Sequence, residues 1–162
     1  PDPRTDGTQI LFGDRFPTAD GTGRLVTVGW EPPAEPTDEE YPLVLDTGRE
    51  LQHWHTGTMT RRAFVLDALR PEATVLVHPE DLMVRGLEDG HRVRVSSRRG
   101  SIVLTARVTN RVRQGTVFVP FHYREAPANV LTIDALDPLG KIPEYKYCAV
   151  QLEPADPRTG SG

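Results

Sequence analysis

From Thr74 onward the chain alternates short apolar runs with tight turns, and that rhythm restricts it to a β fold of small strands. Gly (14) and Pro (15) punctuate the 162 residues, which favours turns over long helices. Thr74–Val77 reads as a strand. His78–Arg85 reads as a short helix, with Pro79 in its first turn and Gly86 just past its end. Leu87-Glu88-Asp89-Gly90 turns the chain into a strand at 92–96, where Arg92 and Arg94 alternate with Val93 and Val95. Arg98-Arg99-Gly100 turns it again into 101–109, where Ile102, Leu104, Ala106 and Val108 share one face. Further strands are expected at 116–120 and 147–152. Many short strands with small helices between them close most economically into a barrel, which leaves no exposed edge. The expected class is mainly β with short helices.

The most unusual stretch precedes this unit. After the apolar run 43–45 comes Asp46-Thr47-Gly48-Arg49-Glu50-Leu51-Gln52-His53-Trp54-His55-Thr56-Gly57-Thr58-Met59-Thr60. Gly48 and Gly57 permit close backbone approach. Four threonine hydroxyls and the Arg49 fork suit phosphate oxygens. Such a loop reads as a cradle for a large, polar, phosphorylated ligand. A helix is expected at 61–69, with Thr60 as N-cap and Pro71 as stop. Phe64 with Ala68, and Val65 with Leu69, recur at helical spacing. Residues 1–40 read as a lead segment with a short strand at 25–28 and an extended, mobile, proline- and acid-rich connector. The barrel domain is expected at 41–153 and a flexible tail at 154–162.

Charge is uneven. Residues 1–46 carry ten acids against Arg4, Arg15 and Arg24, whereas 85–113 carry eight arginines against Glu88 and Asp89. A nucleic-acid face is disfavoured, because Arg92 and Arg94 occupy the solvent face of a half-buried strand and no aromatic residues interleave with the arginines. No apolar run approaches the length of a membrane span, and no signal segment opens the chain. The start at Pro1 suggests a fragment of something longer. The single cysteine, Cys148, allows no internal disulfide and cannot alone hold an iron–sulfur cluster. A reducing, cytoplasmic setting follows as the expectation.

His53 and His55, two apart on an extended segment, would share a face. Zinc would need a third ligand from His78, His91 or His122, and no supporting Cys or carboxylate spacing exists, so no metal site is expected. Contact with a ligand or substrate channel is the preferred reading of both, with Trp54 facing the core between them. There is no nucleophile elbow. The acid runs 38–40 and 80–81 read as solvated or helix-start charges. Both lysines, Lys141 and Lys146, lie near the C-terminus. A lysine is a flexible point charge that suits reaching one phosphate.

Two blocks then carry a resemblance. Thr47-Gly48-Arg49, with Glu50 to Gly57 and Met59-Thr60-Arg61-Arg62, resembles the signature of the C-terminal cofactor-binding domain of molybdopterin oxidoreductases. The second block is Val119-Pro120-Phe121-His122-Tyr123, Ala128-Asn129, Leu131-Thr132 and Asp134 to Pro138, closing with Lys141-Ile142-Pro143, Tyr145-Lys146 and Cys148-Ala149-Val150. The match covers Tyr41 to about Glu153 and is most similar to formate dehydrogenase alpha subunits. One departure is Asp46, where the family usually has threonine; a carboxylate there must point away from a pyrophosphate.

The resemblance implies a double-psi six-stranded β-barrel. It implies cofactor contact for Thr47, Gly48, Arg49, Glu50, Leu51, Gln52, His53, Trp54, His55, Thr56, Asn129 and Lys146, and a substrate-side role for Phe121. The implied cofactor is bis(molybdopterin guanine dinucleotide) carrying molybdenum or tungsten ligated outside this chain, with an iron–sulfur cluster elsewhere in the parent enzyme. The implied partners are the pterin dinucleotide and the remaining domains of that enzyme. No catalytic residue is expected in this chain, and the isolated domain is expected to be inactive. A nitrate reductase domain is the near alternative. A stand-alone, non-redox barrel that binds a nucleotide or a protein is the alternative from another class.

Overall fold

The computed structural model describes residues 10–155. Contacts divide the chain into two compact units, Pro1–Glu31 and Pro32–Gly162. In the first, the Asp20 carboxylate accepts from the Thr18 hydroxyl at 3.0 Å and the Thr22 amide at 3.1 Å, closing a turn. Phe12 stacks on Phe16 with ring centroids 5.4 Å apart. The strand expected at 25–28 does not form: Leu25, Val26 and Val28 are exposed and have no ladder partner among the described residues. A strand without a neighbour leaves its backbone groups to water, and apolar alternation alone does not supply that neighbour.

The second unit is a closed six-stranded barrel. Its strands are β1 (Leu43–Gly48), β2 (Thr74–Val77), β3 (Arg92–Ser97), β4 (Gly100–Val108), β5 (Thr116–Pro120) and β6 (Cys148–Pro154). Around the ring they run β1-β5-β2-β4-β3-β6. The pairs β1/β5 and β2/β4 are parallel; the other four are antiparallel. Alternate residues point inward, and Leu45, Val75, Val77, Val93, Val95, Leu104, Ala106, Val117, Val119 and Val150 are fully buried. On the same alternation Arg92 is exposed and Arg94 half-buried. Val108, expected on the inner face of β4, is exposed where that strand runs past the core.

Two short helices interrupt the ring. The α2 helix (Pro79–Met83) is capped by His78, whose Nδ1 accepts from the Glu80 amide at 3.3 Å. Asp81, expected as a solvated or helix-start charge, stands in the first turn of this helix and is buried. Its carboxylate accepts from the Gly115 amide at 2.7 Å, tying the helix to the turn before β5. The helix expected at 61–69 is broken into a 3₁₀ turn, Thr60–Arg62, and α1 (Phe64–Leu69), because Ala63 between them is extended. Thr60 does not cap it. Phe64, Val65 and Leu69 lie at helical spacing and yet are exposed.

From Ala34 onward the connector is tied to the rest of the second unit by hydrogen bonds and ion pairs. Glu35 receives both arms of the Arg99 guanidinium, at 2.6 and 2.8 Å, and the Ala149 amide at 2.9 Å. Arg99 also donates to the Leu131 carbonyl at 2.9 Å. Asp38 pairs with Arg98, which stacks on the Tyr41 ring at 4.4 Å. The Arg99 fork holds the Glu35 carboxyl at about 2, well below its usual 4.5. A depressed carboxylate contributes its stability above the unfolded pKa and loses it as pH falls through the folded one. Glu35→Gln is therefore expected to cost about 2 kcal/mol at pH 7 by urea denaturation, by loss of a charge-assisted pair. It should also flatten the stability profile between pH 4.5 and about 2.

Candidate functional site

Strand direction brings three loops to one edge of the barrel. Because β1 and β5 are parallel, with Gly48 opposite Pro120, both leave the sheet on the same side. The Phe121 amide donates to the Gly48 carbonyl at 3.2 Å, which carries the pairing one residue past β5. The antiparallel strand β6 enters at that edge, with Cys148 opposite Leu45. The segment before it therefore crosses the exit of β1. There Thr47 donates its hydroxyl to the Tyr145 carbonyl at 2.9 Å, and Lys146 Nζ donates to the Thr47 carbonyl at 3.2 Å.

Between these loops lies a cleft of about 710 Å³. The loop after β1 contributes Gly48, Arg49, His55 and Thr56; the loop after β5 contributes Phe121, Asn129, Thr132 and Ile133; the entry to β6 contributes Pro143, Tyr145 and Lys146. The lining holds two permanent cations and no carboxylate. Gly48 is required here, since a Cβ would stand 2.5 Å from the Phe118 ring. His55 adopts φ 52, in the left-handed region, and meets Phe121 edge to face at 5.6 Å.

His55 lines the cleft as expected, but His53 and Trp54 face the opposite way from expectation. His53 is buried and Trp54 is exposed. Loop 49–60 is a run of turns, as the Gly57 amide bond to the Trp54 carbonyl at 2.9 Å shows, so the alternation of an extended chain does not apply. The Thr60 hydroxyl accepts from the Trp54 amide at 3.0 Å and is left to donate to His53 Nδ1 at 3.3 Å. His53 Nε2 then carries the proton and donates to the Arg70 carbonyl at 3.2 Å. The Nε2 proton is assigned from its carbonyl partner. His53 thus pins the loop from beneath.

Beside it lies His122, whose side chain is wholly buried and whose ring nitrogens have no hydrogen-bond partner among the described residues. Its ring stands 4.5 Å from His53 and 3.9 Å from Tyr123, and Nε2 is 3.5 Å from a Glu50 oxygen. Burial, then the neighbouring His53, pushes its pKa down to about 4. The Tyr123 hydroxyl, shared between the Arg70 carbonyl at 3.0 Å and Glu50 at 3.2 Å, is pushed up by burial and by Glu50.

Of the residues singled out in sequence, Gly48, Arg49, His55, Thr56, Phe121, Asn129 and Lys146 meet in the cleft. Thr47 lies buried beneath Lys146. Glu50, Leu51 and Gln52 face a second groove, of which Arg49 is also a wall. Asp46 lines that groove and not the cleft. Trp54 lies outside, with the Arg49 guanidinium 6.0 Å over its ring. Lys141 donates to the Pro138 carbonyl of its own turn and is not part of the lining. Sequence reasoning gave no role to Thr132, Ile133, Pro143 or Tyr145. Their signal was position, since each neighbours a residue already chosen or lies within the second block. No group of three or more His, Cys, Asp or Glu side chains among the described residues is placed to hold a metal.

Comparison with known proteins gives three findings. The profile of the molydopterin dinucleotide binding domain family matches residues 43–149. The chain is 46% identical over 147 residues to F420-dependent formate dehydrogenase 1 subunit alpha of Methanococcus maripaludis, covering 91% of this chain and 22% of that protein. It is also 46% identical over 152 residues to F420-dependent formate dehydrogenase subunit alpha of Methanocaldococcus jannaschii, covering 94% of this chain and 23% of that protein. The chain thus spans under a quarter of the length of these relatives. Acetylene hydratase from Pelobacter acetylenicus shares the fold, with a TM-score of 0.65 at 20% identity, over 72% of this chain and 19% of that one.

A buried neutral histidine has a sign-definite effect on stability. Between its usual 6.5 and about 4 the unfolded chain takes up a proton that folded His122 does not. Stability should therefore fall as pH drops through that window, by on the order of 3 kcal/mol. His122→Phe is expected to remove most of that slope in denaturation curves between pH 7 and 4, and an unchanged slope would contradict the assignment.

Proposed function

Because the chain belongs to the molydopterin dinucleotide binding domain family, we propose that it is the cofactor-closing domain of a formate-oxidising molybdenum or tungsten enzyme. In this reading the cleft at the barrel edge grips one phosphate-bearing arm of a bis(molybdopterin guanine dinucleotide). The carrying observation is the lining: Lys146 and Arg49 with hydroxyl and amide donors, and no carboxylate. Support for formate as substrate comes from relatives 46% identical across nearly the whole chain. The metal ligands and an iron–sulfur cluster are assigned to the remainder of the parent polypeptide. The double-psi form of the barrel is supported by its two parallel and four antiparallel pairings in one closed ring.

The donor set fits such a group. When bound, it supplies the two-electron chemistry that takes formate to carbon dioxide, a proton and two electrons. The chain's own residues bind and orient. Lys146 and Arg49 offset phosphate charge, the first as a point charge and the second as a planar fork. The Thr56 hydroxyl and the Asn129 amide read oxygen and nitrogen edges. Phe121, Pro143 and Tyr145 present flat apolar surface that excludes water from one side. Thr47 and His53 act from beneath, Thr47 by holding the Tyr145 carbonyl with its hydroxyl and the Lys146 ammonium with its own carbonyl, and His53 by pinning the loop.

The two lysines separate this reading from a generic basic surface. In the parent enzyme Lys146→Ala should lower cofactor retention by about tenfold to a hundredfold, the equivalent of about 1.5–3 kcal/mol for a charge-assisted bond. Lys141→Ala, which removes a bond only to its own turn, should cost about 0.5 kcal/mol or less. Molybdenum or tungsten and guanine nucleotide are measured in the two purified variants. Full occupancy in Lys146→Ala would remove that residue from the site.

A further inference from the structure

A second concave surface lies on the outer wall of the barrel. The register sets Asp46 beside Phe118, Phe118 beside Leu76, and Leu76 beside Arg107, one row across β1, β5, β2 and β4. Over this row opens a groove of about 770 Å³, with Arg49, Arg70, Arg107, Arg111 and Arg113 in its lining. Arg107 pairs with Glu72 at 3.3 Å and Asp89 at 3.6 Å. Arg70, Arg111 and Arg113 have no carboxylate partner among the described residues, and all three are exposed.

We infer that this groove seats a carboxylate-bearing segment of the same polypeptide, from the part beyond these residues. The inference rests on the reading of the chain as one domain of a longer enzyme. Three observations choose this occupant. First, the lining is mixed: five arginines stand with Asp46 and Glu50 over the half-buried Phe118, Leu76 and Val112. Two fixed carboxylates repel a ligand of clustered phosphates. They tolerate carboxylates spaced along a segment that also offers apolar side chains to the floor. Second, arginine over an apolar floor is the composition of protein interfaces, and a single phenylalanine gives no stacking series for a nucleic acid. Third, Arg49 walls both the cleft and the groove, so a chain that covers the cleft from outside continues into the groove. The relatives have over three-quarters of their length beyond the matched region, ample for such a cover.

The test is arginine-selective glyoxal labelling of the full-length polypeptide, read by peptide mass spectrometry. Arg124, whose side chain is 94% exposed, is the reference. Arg111 and Arg113 should label about tenfold more slowly than Arg124, as groups freed only by opening of a closed contact do. Equal rates overturn the proposal. So does protection that arises only when a separate subunit is added, or only with millimolar inorganic pyrophosphate, since each names another occupant. In the full-length R111E/R113E variant, Arg70 should become as reactive as Arg124, while Arg99, tied to Glu35, reports that the barrel is intact. An unchanged Arg70 also overturns it. Failure of the cofactor reading would show instead as full occupancy in Lys146→Ala with the groove still protected.

Discussion

Parallel pairing of β1 with β5 inside a closed ring is the constraint on which the rest depends. A closed ring has no free edge, so its loops gather where the strands end. Two parallel neighbours release their loops at the same end, and the antiparallel β6 must enter there. Loop 49–60, the segment from Phe121 to Ile133 and the entry 143–147 are thereby forced together although they are distant in sequence. The bond from the Phe121 amide to the Gly48 carbonyl and that from Lys146 to the Thr47 carbonyl record how closely they meet.

Beneath that edge a polar layer holds the loops in place. His53 bridges Thr60 and the Arg70 carbonyl, and Tyr123 reaches Arg70 and Glu50 from the other side. His122 fills the space between them as a neutral ring. Such a layer stiffens a loop only while its members keep one protonation state, because a buried charge without a partner is costly. Burial pushes the His122 pKa down to about 4, so at neutral pH this ring packs uncharged against His53 and Tyr123. Glu35 performs a similar service for the lead connector, with both carboxylate oxygens committed.

The strands were legible because apolar alternation and Gly or Pro punctuation are local signals. Thr74–Val77 and Thr116–Pro120 coincide with expectation, and the strands expected at 92–96, 101–109 and 147–152 differ only at their ends. The same alternation misled at 25–28, where no neighbour among the described residues completes a sheet; at 64–69 helical spacing did yield a helix, whose apolar residues face outward. Glu35 looked like one acid among many because its partner, Arg99, lies 64 residues away. The cleft was half legible. Glycines, hydroxyls and cations announced loop 49–60 and Lys146, but the facing of His53 and Trp54 depended on turns that residue spacing cannot give. Thr132, Pro143 and Tyr145 became visible only once the ring brought their loops to β1.

In the proposed function, three loops at one barrel edge close on a phosphate-bearing cofactor. Amide hydrogen exchange of the full-length enzyme, with and without cofactor, tests it most directly. The account predicts that cofactor slows exchange at 49–58, 121–133 and 143–146 together, while the core strand at 102–106 exchanges equally slowly in both states. Slowing confined to other parts of the barrel, or none at these three segments, would contradict it.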